Sequence, residues 1–355
     1  MKRKHLLATI LFSFIQVIVW GQQSNFRSYK SWDKMAFCSY STYHPFEYSQ
    51  SDNNWELLLT LRTPLTAKQL DSLQIKYTDS QLMFLNIGGL IENKDDKWHT
   101  TIPIFEESQT VAIRKQSREI AETLYAETKQ DWKTFLKILA KRNQGDHAFS
   151  FAFSYILDGK IWKNGLLPGY KDLSVNPTWD GACWFMYDKR PNSSCGTNTY
   201  YGIFCQTWTD ELSYWLGPKT IAKFINEYKE NGKIEDKEFI KAAAQWGLTD
   251  ESGNITIPII DESSNDDLVQ IRDVIIQKLA KGIKQYAASF SSEYQLGNEK
   301  MAQVILYHEV MWDMLDILIE KKTLAKPKIL MGDSNVKSSD FKHIVYILRF
   351  IRHFE

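Results

Sequence analysis

The string TIPIFEES, Thr101 to Ser108, returns 155 residues later as TIPIIDES, Thr256 to Ser263, each time after a Gly-Leu pair that closes a helix-like stretch. A repeat at this spacing sets the unit of folding before any finer reading. Around both strings the order is the same: a short helix, a second helix ending in glycine, an acidic loop, a Thr-Ile-Pro-Ile strand, then a long helix. The glycines, Gly88 and Gly89 in one copy and Gly247 in the other, stand where a helix end needs a residue tolerant of positive φ. The loop is three residues shorter in the second copy, and length variation belongs in an exposed tip. LIENKDDKWHTTIPI and LTDESGNITIPI therefore read as two strands around a solvated acidic turn. Proline inside such a strand places its missing N–H at an edge or where pairing ends.

Helix starts are marked locally. Thr66 with Gln69 and Thr78 with Gln81 make two capping boxes, stapled by Leu65 with Leu70 and by Tyr77 with Leu82. Two boxed starts twelve residues apart are what a helix-turn-helix needs. The second copy keeps Ile234 and Phe239 as the staple, with Glu235 and Glu238 in place of the box. Two short helices, a β-hairpin wing and a long helix resemble the winged helix-turn-helix architecture over Pro64 to Arg142 and again over Gly217 to Phe290. The resemblance implies a mainly α chain with small β wings, an α+β fold of tandem duplicated winged-helix-like repeats.

Between Phe105 and Gln144 there is neither glycine nor proline, and Ile113, Ile120, Leu124, Trp132, Phe135 and Leu139 recur at helical spacing. Leu268, Ile271, Ile275, Leu279, Ile283, Tyr286 and Phe290 repeat that stripe, and a further helix follows in each copy. Residues 332–339 read as a polar linker, and DFKHIVYILRFIRHF as a terminal helix docked on the core. The chain then divides into a signal peptide (1–21), an irregular lead-in (22–63), a first repeat (64–170), an aromatic hairpin (171–214), a second repeat (215–330), and the linker with its helix (331–355).

The signal peptide rests on MKRKH, an apolar run LLATILFSFIQVIVW and the small residue Gly21, the zones of an export signal. The run is short for a membrane span, and no later segment of the mature chain approaches one. Losing Lys2, Arg3 and Lys4 takes a neutral chain to a formal charge of −3. In an exported chain Cys38, Cys183, Cys195 and Cys205 point to two disulfides. TWDGACWFMYD and TYYGIFCQTW, read as one hairpin centred near Ser194, place Cys183 opposite Cys205 and leave Cys195 for Cys38. No ligand spacing accompanies these cysteines, so no metal or other cofactor is expected.

The wing architecture suggests DNA, and the charges oppose it. The second helix, YTDSQLMFLNIGG, carries no basic residue, its counterpart EDKEFIKAAAQWG offers Lys237 and Lys241 beside three acids, and the wings add Glu92, Asp95, Asp96, Asp250 and Glu251, a poor set for neutralising phosphates. The pairs Glu106-Glu107 and Asp261-Glu262 invite a two-carboxylate hydrolase. Their place before long helices gives the plainer reading of charges that complement exposed N–H groups, with Ser108 and Ser263 as caps. His308-Glu309 lacks the second histidine of a zinc-protease helix, because position 312 is Trp. His308 is expected to be a core histidine bonded to a neighbour. No nucleophile elbow or phosphate loop occurs, and no catalytic residue is assigned. The hairpin aromatics Trp179, Trp184, Tyr187, Tyr200, Tyr201 and Trp208 are the candidate binding residues, one face core and the other free. The expectation is an exported, non-enzymatic binding protein with a protein partner. A glycan-binding or carbohydrate-active protein is the alternative, and a DNA regulator the weakest reading.

Overall fold

Thr78 and Gln81 form the capping box that their spacing requires: Gln81 N donates to Thr78 Oγ1 at 3.1 Å, and Thr78 N to Gln81 Oε1 at 2.9 Å. Thr66 and Gln69 do the same, at 3.3 and 2.9 Å. The computed structural model describes residues 26–40, 43–162, 165–173, 178–190, 195–209, 217–263, 265–331 and 337–349, so the expected signal peptide lies outside the described residues. The fold is mixed, helices with small sheets, of the α+β class. It divides into two units, Met1–Thr110 with Tyr170–Lys189, and Val111–Gly169 with Arg190–Glu355.

In the first unit the stretch expected to be irregular is ordered. It supplies strand β1 (Asp33–Tyr40) and helices α1 (Pro45–Gln50) and α2 (Asn54–Thr60). The capped helices α3 (Ala67–Ser72) and α4 (Asp79–Ile87) follow. The wing is a hairpin of β2 (Ile91–Lys94) and β3 (Lys97–Thr100), and Asp95 and Asp96 at its tip both have positive φ, as a tight hairpin turn demands. Thr-Ile-Pro-Ile is not the second wing strand. Its end forms β4 (Ile104–Phe105), which pairs parallel with β5 (Trp179–Met186) at the edge of a sheet ordered β1-β5-β4. Pro103 thus sits just before an edge strand, and its carbonyl accepts from Phe185 N at 3.0 Å. Trp32, Trp55, Leu57, Leu58, Leu85, Ile104 and Phe185 are buried in the core of this unit.

The long helix α5 (Glu107–Lys141) begins in the first unit and runs on into the second. There the helix of Ala148–Ser150 passes into a π-helix at Phe151–Leu157. The second unit also holds α6 (Pro218–Asn231), α7 (Lys237–Gln245), α8 (Asp267–Glu293) and α9 (Glu299–Glu320). The α7 cap is Asp236, whose carboxylate takes both Glu238 N and Phe239 N at 3.0 Å, in place of the Glu235–Glu238 box. A four-stranded sheet runs β6 (Cys195–Tyr200), β7 (Phe204–Thr209), β9 (Val345–Arg349) and β8 (Ile259–Asp261). Where a terminal helix is expected, Ser338–Ile344 form a 3-10 helix and Val345–Arg349 form strand β9; residues 350–354 lie outside the described residues. Val345, Tyr346, Ile347 and Leu348 are all buried, and a short apolar, β-branched run in a central strand has no polar face to show. No helix among the described residues is long and apolar enough to cross a membrane.

The two Gly-Leu junctions make the same bonds. Gly89 and Gly247 share φ +68°, Leu90 N and Leu248 N reach back five residues to Leu85 O and Ala243 O, and Thr101 N and Thr256 N bond Leu90 O and Leu248 O at 3.0 Å. Thr101 Oγ1 and Thr256 Oγ1 donate to Gly89 O and Gly247 O, both at 2.7 Å. Gly88 has a different reason: its φ is −66°, and a Cβ there would meet the Tyr48 ring at 2.5 Å. Ile102 and Ile257 are both buried, each at a bend two residues before a strand, β4 or β8. The second wing tip is less exposed than an acidic loop suggests, because Gly253 is buried under Ile234, whose N–H bonds Gly253 O at 2.9 Å.

Candidate functional site

The six aromatic residues expected on one hairpin stand in two different sheets. Strand β5 pairs with β1 and β4, and β7 pairs with β6 and β9, so the hairpin that forms is β6–β7, turning at Tyr201-Gly202-Ile203. Trp179 and Trp184 are buried in the first unit, where Trp179 Nε1 donates to Gly88 O at 2.7 Å. Tyr187 is half-buried there, with the Arg27 guanidinium 3.7 Å over its ring. In the second unit Trp208 is half-buried against Gly196, and Tyr200 lies 6.3 Å from the Phe204 ring. Tyr201 alone of the six is exposed, at 63%.

The same topology overturns the Cys183–Cys205 disulfide. Cys183 stands opposite Ala36, Cys205 opposite Thr199 and Tyr346, and Cys38, Cys183 and Cys205 are free thiols. The side chain of Cys195 lies outside the described residues. Cys38 Sγ does approach His44 Nε2 at 3.7 Å, a contact that in another setting would suggest a thiolate–imidazolium nucleophile. Two observations oppose it. His44 Nδ1 accepts from Phe46 N at 3.1 Å, so the extra proton of an imidazolium has no place to sit. Burial pushes the Cys38 thiol up to about 11 and the His44 imidazole down, each toward neutrality.

Neither acidic pair is free to act as acid or base. Glu106 is held by Arg62 and Arg27, and Glu107 by Arg27 at 2.8 Å. Asp261 and Glu262 are not at a helix start, since α8 is capped by Asp266, which accepts from Leu268 N at 2.8 Å. Asp261 is forked by Arg349, and Glu262 takes Lys160 Nζ at 2.8 Å and Arg272 Nη1 at 2.9 Å. The hydrogen bond from Arg349 holds Asp261 below the usual carboxylate range. For Glu262 burial acts upward, but the bond from Lys160 and the charge of Arg272 outweigh it. A general acid needs the opposite shift. His308 is buried, with Nδ1 2.8 Å from Val304 O, and burial pushes it down to about 4, a core histidine as its spacing predicts. Among the described residues no group of His, Cys, Asp and Glu could hold a metal ion.

Among the described residues, two surfaces bear on function. On α4, in the first unit, Leu82 and Leu85 are buried while Met83 is 63%, Phe84 36% and Ile87 54% exposed. The helix is apolar on its outer side as well as its inner one, which its run of Leu82, Met83, Phe84, Leu85 and Ile87 shows once the inner face is known. Phe84 stacks 4.6 Å from Tyr48, which in turn lies 5.8 Å from exposed Tyr43, so the patch continues beyond the helix. Counting back from the shared Gly-Leu junction, the equivalents on α7 are Lys241, Ala242 and Gln245. Where α4 exposes Met83, Phe84 and Ile87, α7 has two polar residues and an alanine.

The second surface is an open groove of about 770 Å³ in the second unit. It is lined by Tyr201 at the β6–β7 turn, Tyr228 and Lys229 at the end of α6, Ile259 of β8, and Leu348 and Arg349 of β9. Of these only Tyr201 is among the sequence candidates. No family model, no curated protein and no solved structure matches this chain.

Proposed function

We propose that this protein is an exported, non-enzymatic interaction protein, built from two winged-helix-like repeats, which grips a protein partner through the outer face of α4. The observation that carries this reading is the exposure of Met83, Phe84 and Ile87 on a helix whose inner face is already satisfied by burial of Leu82 and Leu85. In a winged helix this second helix is the element that enters the DNA groove. Here its outer face offers no cation, and apolar side chains of this size in water mark a surface that another protein covers. Lys241, Ala242 and Gln245 at the matching places on α7 are an internal control. They keep the inner apolar residues and dispense with the outer ones, so the fold does not need an apolar outer face.

The hydrolase alternative has less support, because each member of both acidic pairs is tied to a cation. The test is site-specific photocrosslinking in the producing cell, with a benzophenone amino acid at position 83 or at position 241. An adduct from position 83 that disappears on Ile87→Glu, with none from position 241, is expected. Equal adducts from both positions, or none from 83, would overturn the reading.

A further inference from the structure

Tyr201 is at once strained and exposed. Its φ is +51°, in the left-handed region where a bulky side chain is disfavoured and glycine or asparagine would sit more easily. Its ring is 63% exposed, so packing does not offset that strain. A strained backbone that presents an aromatic ring to water is a reason to look for what the ring meets. It meets the groove. Gly202 and Gly232 flank the opening, and a Cβ at either would find nothing within 4 Å, which leaves the lip wide enough for a ring-shaped ligand.

The chemistry of the lining selects the ligand. Tyr201 and Tyr228 bring aromatic rings, Ile259 and Leu348 apolar walls. Lys229 brings an ammonium group that is not in an ion pair with any described residue, while the Arg349 guanidinium is already neutralised by Asp261. The wall at Lys229 is also the C-terminal turn of α6, where Gly232 N bonds Tyr228 O at 2.8 Å and the carbonyls that follow carry the partial negative charge of the helix end. A hydrocarbon would strip water from Lys229 and from these carbonyls with nothing in return. A carboxylate would satisfy Lys229 but face the negative end of the helix. A hydroxyl both donates and accepts, and a pyranose offers several hydroxyls beside an apolar C–H face that stacks on tyrosine.

We propose that the groove between the β6–β7 turn, the end of α6 and strands β8 and β9 binds a neutral saccharide, stacked on Tyr201 and hydrogen-bonded by Lys229. This site lies wholly within the second unit and does not depend on the α4 face, so either reading can fail without the other. The site is open and small, so the affinity expected for an oligosaccharide is modest, a Kd on the order of 1 mM.

The test is titration of the full mature chain with neutral hexamers of β-1,4-linked glucose and N-acetylglucosamine, and with a uronic acid hexamer, followed by saturation-transfer NMR. At least one neutral hexamer should bind more tightly than the uronic one. Tyr201→Ala should weaken it roughly five- to tenfold, the loss of one stacked aromatic face. Tyr201→Gly separates binding from folding, because it relieves the backbone: binding should fall as far while the Tm stays level or rises. The proposal is overturned if no neutral hexamer binds below about 10 mM, if the uronic hexamer binds best, or if neither Tyr201 variant changes the affinity.

Discussion

Replacing Glu262 by glutamine removes a charge on which two buried cations depend, and the size of the effect follows from the geometry. The Glu262 carboxylate receives Lys160 Nζ at 2.8 Å and Arg272 Nη1 at 2.9 and 3.0 Å, and Tyr155 Oη lies 2.5 Å from that same nitrogen. All four residues are largely buried. Opposite charges about 3.5 Å apart at an effective dielectric of about 20 attract by roughly 4–5 kcal/mol before desolvation is counted. Deleting one partner of a buried pair costs about 3–5 kcal/mol when the other is left uncompensated, and here Arg272 keeps its ion pair with Asp273 at 2.8 Å. Glu262→Gln keeps the shape and one acceptor, so the lower half of that range is expected. In a unit of this size that is a Tm lower by roughly 6–15 °C, read by circular dichroism. The folded carboxyl is depressed, so its contribution is complete above the ordinary glutamate pKa of about 4.3 and is lost as pH falls below it. The variant should therefore converge with wild type in acid. A loss under about 1 kcal/mol at neutral pH would mean the cluster is effectively hydrated, in the manner of a surface pair, and the reasoning would fail. The triple change of Glu262→Leu, Lys160→Met and Arg272→Leu should recover most of the loss, since an apolar cluster of similar volume is often as stable.

His308 and His147 are both pushed down to about 4, first by burial, so the unfolded chain binds protons that the folded one refuses. Stability should be complete above about pH 6.5 and decline toward pH 4; in His308→Leu the urea midpoint should change less between pH 7.5 and 5, and an unchanged slope would refute the assignment. Gly181→Ala should destabilise the first unit by about 3–5 kcal/mol, because φ is +121° and the new Cβ would lie 2.1 Å from Phe37 O, which is backbone and cannot step aside. A guanidinium midpoint within error of wild type would contradict that close approach. Asp236→Ala removes the cap from Glu238 N and Phe239 N and should lower the midpoint in the same titration, while Asp236→Asn, which keeps an acceptor, should restore most of it.

What was legible in the sequence was local. Thr66, Gln69, Thr78 and Gln81 name their helix starts because a capping box is written within four residues, and Gly89 and Gly247 name the ends for a similar reason. Pairing partners are not local. TWDGACWFMYD and TYYGIFCQTW look like two halves of a hairpin, yet Gly181 to Met186 are buried throughout, and a strand with no polar side carries no mark of which neighbour it takes. The Cys183–Cys205 pairing fell with that register. Residues 344–349 were ambiguous for a related cause, since a short apolar run suits a helix or a central strand and only the place between β7 and β8 decides. Of the candidate sites, Tyr201 was visible as an aromatic. Met83, Phe84 and Ile87 carry no such mark, since in a run this apolar only the burial of Leu82 and Leu85 shows which side of α4 is spare.

Strand β9 lies at the middle of its sheet, yet every strand it joins precedes it in the chain. During synthesis the β6–β7 hairpin and β8 must therefore wait, each with an unfilled edge, while about 135 and some 80 further residues respectively are made, long after their own backbones have emerged. Closing contacts so far apart is slow, and open edges are where chains stick to one another in the meantime. The pause before Val345 arrives is the interval in which this protein is most exposed to aggregation.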